Sequence, residues 1–209
     1  MPKPDCRNAY RWMLENGPHG PGPARVVFVA GDSAGGNLTL SLVAWVRDQG
    51  LRQPDAAVAL SPLTDSTLGS PSLKANKRTD AMLGPLLGPL TRVPRTLLLW
   101  ASWFQNRVNP RNPLVSPVFG DLSGLPPVLI HASEAEMLID DCRRYVNRAR
   151  AAGSPVALQT WHHVVHVWHI FNPELAEARE ALAHIGRFLA AASHPSDGTL
   201  SMDRAADTE

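Results

Sequence analysis

The chain has 209 residues, enough for one domain with a substantial hydrophobic core but few for two full domains. Its 20 basic and 19 acidic residues give a net charge of +1 and form no basic block or stripe, so we expect no nucleic-acid partner. The N-terminus has no apolar signal-peptide core, and the most apolar segment, residues 97–104, is too short to span a bilayer. These features favour a soluble, cytoplasmic protein without a membrane span.

Hydrophobic periodicity predicts short apolar strands that alternate with amphipathic helices. We expect the strands at residues 25–30, 56–61, 127–132 and 156–161 and helices at residues 5–15, 137–152 and 173–192, with a further helix that follows the turn at Ser33 and ends at Gly50. This alternation is typical of an α/β fold, in which crossover helices connect the strands of a mainly parallel sheet. The polar residues 193–209 are predicted to form a disordered tail, which leaves residues 1–192 as one domain.

Residues 63–115 interrupt the alternation, because they contain several prolines and no clear strand. Their one strongly apolar segment, residues 96–104, includes Trp100 and Trp103. We interpret the region as a helical insertion that leaves the sheet at the end of a strand. Ligands of open α/β sheets bind outside the carboxyl ends of the strands, so an insertion there is well placed to act as a lid. A poorly ordered surface loop is the alternative.

The segment around Ser33 carries the clearest chemical signal. Residues 31–35, Gly-Asp-Ser-Ala-Gly, fit the G-x-S-x-G pattern directly after a predicted strand and directly before a predicted helix. Such a turn holds the serine in a strained backbone conformation and requires small neighbours. It also places Ser33 at a helix N-terminus, where free amides and the helix dipole stabilise developing negative charge. The pattern predicts a nucleophilic serine, with an ordinary glycine-rich turn as the alternative.

A serine nucleophile needs a histidine base and an acid that orients the base. In α/β hydrolases the acid and then the histidine follow the serine along the chain. The loop after the third predicted strand contains Glu134 and Glu136. The loop after the fourth contains four histidines: His162, His163, His166 and His169. Both loops lie where the required order places them.

The other titratable residues near these loops have simpler interpretations. Asp140 and Asp141 are expected to be first-turn acids of a helix, favoured by its dipole. The histidine spacings would permit a zinc site, but the sequence has no HExxH motif and no cysteine beside the histidines. Cys6 and Cys142 lie in no CxxC or metal-ligand spacing and cannot form a disulfide framework. We therefore expect neither a metal nor a cofactor.

In combination, several short motifs resemble those of the hormone-sensitive lipase family of α/β hydrolases, which includes microbial carboxylesterases and arylacetamide deacetylases. Gly-Asp-Ser-Ala-Gly-Gly-Asn at 31–37 is similar to the family's nucleophile elbow, and Leu-Ser-Pro-Leu-Thr-Asp at 60–65 to the segment after its next strand. Val-His-Val-Trp-His at 165–169 is similar to its histidine segment. The likeness extends from Tyr10 to Leu189. It implies a partial α/β-hydrolase fold that cleaves carboxylic esters of short or medium acyl chains.

The resemblance also assigns roles to individual residues. Ser33 matches the nucleophile, and the Ala34 amide matches one donor of the oxyanion hole. Residues 136–140, Glu-Met-Leu-Ile-Asp, align with the family's Asp-Pro-Leu-x-Asp, whose first acid is catalytic, so Glu136 is preferred over Glu134. The first histidine of the histidine segment is the family's base, so His166 is preferred over His169. The implied mechanism is a Ser-His-Glu triad acting through an acyl-enzyme.

The sequence departs from the family in one respect, because it contains no His-Gly-Gly segment ahead of the elbow. That loop completes the family's oxyanion hole, and one missing donor typically lowers turnover by ~10²–10³. We expect the family's early strands to be absent as well, which would leave the nucleophile strand with an unpaired edge. A catalytically weak pseudoenzyme is therefore an alternative. A small-molecule binding protein, as in the gibberellin receptors, is another, although those receptors lack the histidine that His166 supplies here.

Overall fold

A computed structural model of the chain describes residues 4–17 and 20–193. Its centre is a four-stranded sheet in which all neighbouring strands are parallel and the spatial order follows the chain. The strands are β1 (Phe28–Asp32), β2 (Ala56–Leu60), β3 (Val128–Ser133) and β4 (Val156–Trp161). The four predicted strands and the α/β class are confirmed. A separate antiparallel pairing joins Asn16–Gly17 to Gly20–Pro21.

Seven α-helices accompany the sheet in the part of the chain that the structure describes. They are α1 (Pro4–Glu15), α2 (Ala34–Asp48), α3 (Ser72–Ala75), α4 (Leu83–Leu87), α5 (Arg95–Asn106), α6 (Ile139–Ala151) and α7 (Ala176–Ser193). Short 3₁₀ segments cover Asn76–Arg78, Gly88–Arg92, Pro117–Phe119 and Trp168–Phe171. None of the described helices combines the length and the hydropathy needed to cross a membrane. The predicted tail lies outside the described residues, apart from Ser193, which ends α7.

The prediction that Pro173 opens the last helix is wrong. Residues 168–171 form a 3₁₀ turn and residues 172–174 a further turn, so α7 begins only at Ala176. Its buried side chains are the small residues Ala178 and Ala181, whereas Leu182, expected on the apolar face, is 36% exposed. The two alanines pack against Val164 and Trp168, and the predicted apolar-face residues Ile185, Phe188 and Leu189 are partly buried.

Both faces of the central strands β2 and β3 are buried, which explains their continuous apolar sequences. Ala57 and Ile130 belong to a core cluster with side chains of α2 and α6, such as Val43 and Tyr145. The alternate residues on these strands point to the opposite face, where α7 contacts β2 and β3. The two central strands are thus covered on both faces, by α2 and α6 on one and by α7 on the other.

The strand β1, which leads into Ser33, lies at the edge of the sheet. Its residues alternate between partly buried and exposed, whereas those of β2 are almost all buried. Ala30 and Asp32 are exposed, and no strand among residues 4–17 and 20–193 pairs with the outer side of β1. The unpaired edge expected for this strand is present in the described chain.

The segment predicted as a helical insertion, residues 63–115, contains α3, α4 and α5. Its two ends are joined at the base, because the Ser66 hydroxyl donates to the Val115 carbonyl at 2.8 Å and the Ser66 amide to the Ser116 hydroxyl at 2.7 Å. Helix α5 presents exposed apolar side chains, including Trp100 and Phe104, whose rings stack 5.6 Å apart. The lid function proposed for this segment stays a prediction.

Candidate active site

The turn between β1 and α2 holds Ser33 in an unusual backbone conformation. Ser33 has φ 51° and ψ −111°, values that a side chain other than glycine adopts only at a cost of about 1–3 kcal/mol. Its amide donates to the Leu60 carbonyl of the neighbouring strand at 2.7 Å, which fixes the turn against β2. Ala34 is the first residue of α2, so its amide has no acceptor within the helix. Ser33 therefore stands directly in front of the positive end of the α2 dipole.

Gly31 and Gly36 are required because the turn leaves no room for a side chain at either position. A Cβ atom at Gly31 would lie 2.4 Å from the Gly35 carbonyl oxygen, and one at Gly36 would lie 2.9 Å from the Pro62 Cβ. Neither neighbour is a flexible side-chain end, so neither can move aside cheaply. The close approach of the helix start to β1 and to Pro62 explains the small residues that the sequence carries here.

Ser33, His166 and Glu136 meet at the carboxyl ends of the strands. The His166 Nε2 atom lies 2.9 Å from Ser33 Oγ, and His166 Nδ1 lies 3.0 Å from Glu136 Oε2. Because a carboxylate only accepts, Nδ1 carries the proton and Nε2 is left to accept the Ser33 hydroxyl proton. Both His166 and Glu136 are buried, at 4% and 1% exposure. The structure thus brings the three sequence-predicted residues together with the imidazole in the middle.

The charge of Glu136 depends on its immediate neighbours. Burial raises the pKa of Glu136, while the hydrogen bond to His166 and the positive charge His166 can carry lower it. The Ser61 hydroxyl lowers the pKa further, and the charge of Asp80 raises it. A carboxyl group in this position is most stable as an anion when His166 is protonated. That coupling suits an acid whose task is to stabilise an imidazolium.

The alternative residues from the sequence lie elsewhere. Glu134 forms an ion pair with Arg143 at the surface of α6, and His162 and His163 are exposed. His169 hydrogen-bonds to another histidine rather than to the site. Of the candidates, only His166 contacts Ser33, and only Glu136 contacts His166. Among the described residues, no group of three or more histidine, cysteine, aspartate or glutamate side chains is arranged to hold a metal ion.

The partner of His169 is His131 on β3, a residue the sequence reasoning did not single out. The His131 Nε2 atom lies 3.0 Å from Gln159 Oε1 and Nδ1 lies 3.1 Å from His169 Nε2. The ring also packs against Trp161, with the ring centroids 4.7 Å apart. Burial lowers the pKa of His131 to about 3 and that of His169 to about 4. Both rings are therefore neutral near pH 7 and serve as hydrogen-bonded core residues beneath the His166 loop.

Ser61 and Asn37 lie in the motifs that resemble the family, but the sequence predicted no role for either residue. Ser61 has φ 47° and no exposed surface, and it accepts a hydrogen bond from the Val167 amide at 3.3 Å. It therefore contacts the residue after His166 as well as influencing Glu136. Asn37 donates from its amide to the carbonyls of Leu63, at 2.6 Å, and Val115, at 3.0 Å. The sequence signal for this role was the polar side chain of Asn37, which directly follows the glycines of the elbow.

A cavity of about 430 Å³ lies beneath the insertion. Its lining is largely apolar, with Leu73, Leu87, Leu98 and Met137, and it includes the cationic side chains of Lys74 and Arg95. Met137 adjoins Glu136, but neither Ser33 nor His166 lines the cavity. The cavity is thus beside the acid loop rather than at the serine.

The chain is similar in sequence to known proteins of one family. A family profile described as alpha/beta hydrolase fold matches residues 2–170. An acetyl-hydrolase from Streptomyces hygroscopicus is 38% identical over 189 residues, which cover 90% of this chain and 59% of that protein. The carboxylesterase/phospholipase LipF from Mycobacterium tuberculosis is 34% identical over 200 residues, which cover 94% and 50% respectively. The chain spans about half to three fifths of the length of these curated relatives.

Solved structures agree with these sequence matches. A hormone-sensitive lipase from a metagenome library superposes with a TM-score of 0.77 at 33% identity, over 91% of this chain and 60% of that one. The protein EstE5, in crystals soaked with p-nitrophenyl butyrate, superposes with a TM-score of 0.75 at 33% identity, over 92% and 62%. On fold, sequence and motif together, the chain belongs to the hormone-sensitive lipase family of α/β hydrolases.

Proposed function

We propose that this chain carries the catalytic residues of a serine carboxylesterase, with Ser33 as nucleophile, His166 as base and Glu136 as the orienting acid. The observation that supports the proposal is the continuous path from Ser33 Oγ through the His166 ring to Glu136 Oε2, with contacts of 2.9 and 3.0 Å. Ser33 lies at a strained strand-to-helix turn, a location that is typical of activated serines. The esterase and acetyl-hydrolase names of the relatives agree with this chemistry.

The proposed reaction starts with a proton on His166 Nδ1 and with His166 Nε2 free to accept the Ser33 hydroxyl proton. Ser33 Oγ attacks the ester carbonyl while its proton passes to His166 Nε2, and Glu136 stabilises the imidazolium that forms. His166 then gives the proton to the alcohol oxygen, so the ester C–O bond breaks and an acyl-serine remains. Water enters, loses its proton to His166, and attacks the acyl group. The Ser33 oxygen recovers the proton as the carboxylic acid departs.

The negative oxygen of each tetrahedral intermediate needs preorganised donors. The Ala34 amide, with no helical acceptor and at the positive end of α2, is the donor proposed here. Removing one donor of an oxyanion hole costs roughly 10²–10³ in turnover. Because the sequence contains no His-Gly-Gly segment, we expect slow ester hydrolysis by this chain. Short acyl esters are the proposed substrates, on the strength of the acetyl-hydrolase relative and the butyrate ester used with EstE5.

The test combines turnover with covalent labelling of the serine. The chain is assayed with p-nitrophenyl acetate and butyrate, and separately treated with a fluorophosphonate, whose adduct is located by mass spectrometry. Ser33→Ala should abolish both hydrolysis and labelling, whereas Ser123→Ala, in the loop before β3, should leave both unchanged. Labelling of Ser33 without hydrolysis would favour the pseudoenzyme alternative. Hydrolysis that survives in Ser33→Ala would refute the assignment.

A further inference from the structure

The acid loop, residues 134–137, is held in place by side chains from one short stretch of the insertion. Four consecutive residues of the loop each use a backbone group for this attachment. Asn76 Nδ2 donates to the carbonyls of Glu134 and Glu136, both at 2.9 Å, Thr79 Oγ1 donates to the Ala135 carbonyl at 2.9 Å, and the Met137 amide donates to Asp80 Oδ2 at 2.8 Å. The loop that carries Glu136 is therefore fixed from outside the sheet.

Asp80 connects the acid loop to the insertion through its two carboxylate oxygens. While Oδ2 accepts from Met137, Oδ1 accepts from the amides of Met82, at 3.1 Å, and Leu83, at 2.7 Å, where α4 begins. The Asp80 amide donates to the Asn76 carbonyl at 2.8 Å, so the two side chains belong to one rigid turn. Asp80 is only 3% exposed. A buried carboxylate with three amide donors is strongly restrained.

The charge of Asp80 works against the proposed chemistry, and this helps to identify its role. Its negative charge raises the pKa of Glu136 and so disfavours the anionic form that the triad uses. A stabilising electrostatic contribution to Glu136 therefore cannot explain a buried carboxylate at this position. Its hydrogen bond to the Met137 amide can, because the peptide group between Glu136 and Met137, whose carbonyl Asn76 also holds, sets the direction in which the Glu136 side chain leaves the backbone.

We propose that Asn76 and Asp80 are positioning residues that aim Glu136 at His166. The inference rests on the proposed function, since it deepens the role of the same triad. It assigns to the insertion a task other than covering the pocket, namely supporting the catalytic acid. Misplacing a catalytic group by about 1 Å can cost ~10² in rate, so loss of this support should appear mainly in turnover.

Asp80→Asn tests the proposal with almost no change in shape. An asparagine that keeps its oxygen toward the α4 amides must turn its NH₂ toward the Met137 amide, and two donors then face each other. We expect kcat for p-nitrophenyl butyrate to fall about tenfold or more, with KM within about twofold, because substrate contacts are unchanged. Asn76→Ala should act in the same direction. The matched control is Asp121→Asn, an exposed loop carboxylate that, like Asp80, accepts from a backbone amide; it also accepts from the Ser123 hydroxyl.

A double-mutant cycle shows whether the effect passes through Glu136. In a Glu136→Gln background, Asp80→Asn should add less than about threefold to the loss of kcat, because the group it positions is already disabled. Full additivity of the two losses would overturn the proposal, as would an unchanged kcat in Asp80→Asn. Equal losses in the Asp121→Asn control would show that the change in kcat reports general disturbance and would also overturn it.

A second readout needs no turnover and keeps this inference separate from the proposed function. The Nδ1 proton of His166, hydrogen-bonded to Glu136, should give a downfield proton NMR resonance that Glu136→Gln removes. Asp80→Asn and Asn76→Ala should shift or abolish this resonance while the methyl spectrum stays that of a folded protein. If the chain hydrolyses no ester but the resonance responds as described, the proposed function fails and the positioning role stands. An unaltered resonance in both folded variants would refute the positioning role.

Discussion

Asp141 offers a prediction whose sign runs against the usual expectation for a buried, hydrogen-bonded carboxylate. It lies in the first turn of α6 with no exposed surface, and its Oδ2 accepts from the amides of Thr64, at 3.3 Å, and Asp65, at 3.1 Å. The Ser70 hydroxyl bonds to Oδ1. Burial raises the pKa of Asp141 from 3.8 to about 6, and the charge of Asp65 adds to the rise despite the opposing hydrogen bonds and Arg144.

The raised pKa means that ionised Asp141 costs folding free energy. Between pH 3.8 and about 6 the native state binds more protons at this group than the unfolded state, so the stability contributed by the group falls as the pH rises. At roughly 1.4 kcal/mol for each tenfold change in proton affinity, the cost above pH 6 is about 3 kcal/mol. Asp141→Asn keeps an acceptor for the two amides and offers an NH₂ to Ser70, whose hydroxyl can accept. It should therefore stabilise the protein by up to about 3 kcal/mol at pH 7.5.

Urea denaturation of the parent and Asp141→Asn at several pH values between 4 and 8 measures this difference directly. Taking the difference between the two proteins removes the contribution of titrating groups that do not interact with Asp141. The advantage of Asp141→Asn should be full above pH 6.5 and fall below about 1 kcal/mol at pH 4, where the parent carboxyl is protonated in the native state and only partly ionised in the unfolded state. The bonds from Ser123 lower the pKa of the Asp121 carboxyl, so Asp121→Asn should not raise the free energy of unfolding at any pH. A variant less stable than the parent at pH 7.5 would refute the reasoning.

Three further outcomes follow from the geometry. Ser33→Gly should melt at a higher temperature than Ser33→Ala, because glycine relieves backbone strain of about 1–3 kcal/mol at φ 51°; equal melting temperatures would indicate an unstrained turn. Asn37→Ala should destabilise the fold by about 1–3 kcal/mol in urea titrations, since two carbonyls lose their amide donor, whereas an exposed asparagine such as Asn109 should tolerate alanine. His169, whose pKa burial lowers to about 4, favours the fold only while neutral, so stability should fall as the pH drops from about 6.5 toward 4. His169→Gln should reduce that fall, and an identical pH dependence would contradict the argument.

Local sequence patterns were sufficient to predict those parts of the molecule whose structure depends on residues adjacent in the chain. The β1 strand, the small residues around Ser33 and the start of α2 are all adjacent in sequence, so the turn could be predicted from the chain itself. The meeting of the acid loop and the histidine loop follows from parallel topology, because the carboxyl ends of such strands lie at one edge of the sheet. The preference for Glu136 came from the family resemblance, and its contact with His166 accords with that preference.

Other features depend on tertiary contacts that the sequence does not display. The bond from Met137 to Asp80 joins residues 57 positions apart and crosses from the sheet to the insertion. His131 looked like one more residue of a buried strand, and only the packing of the His166 loop brings His169 to it. Asp141 matched the pattern of a first-turn acid, yet its side chain points into the start of the insertion, which the helix position alone could not indicate.

The hydrogen bonds of Asn37 have a consequence for how this chain could vary. Through its bonds to the Leu63 and Val115 carbonyls, the Asn37 side chain joins the two ends of the insertion directly behind Ser33. Loop closure entropy rises only slowly with loop length, so segments of quite different size can be accommodated between two such fixed ends. A replacement of different length should therefore leave the turn at Ser33 undisturbed, provided that it retains the asparagine and aspartate that hold the acid loop and the residues that bond to Asp141.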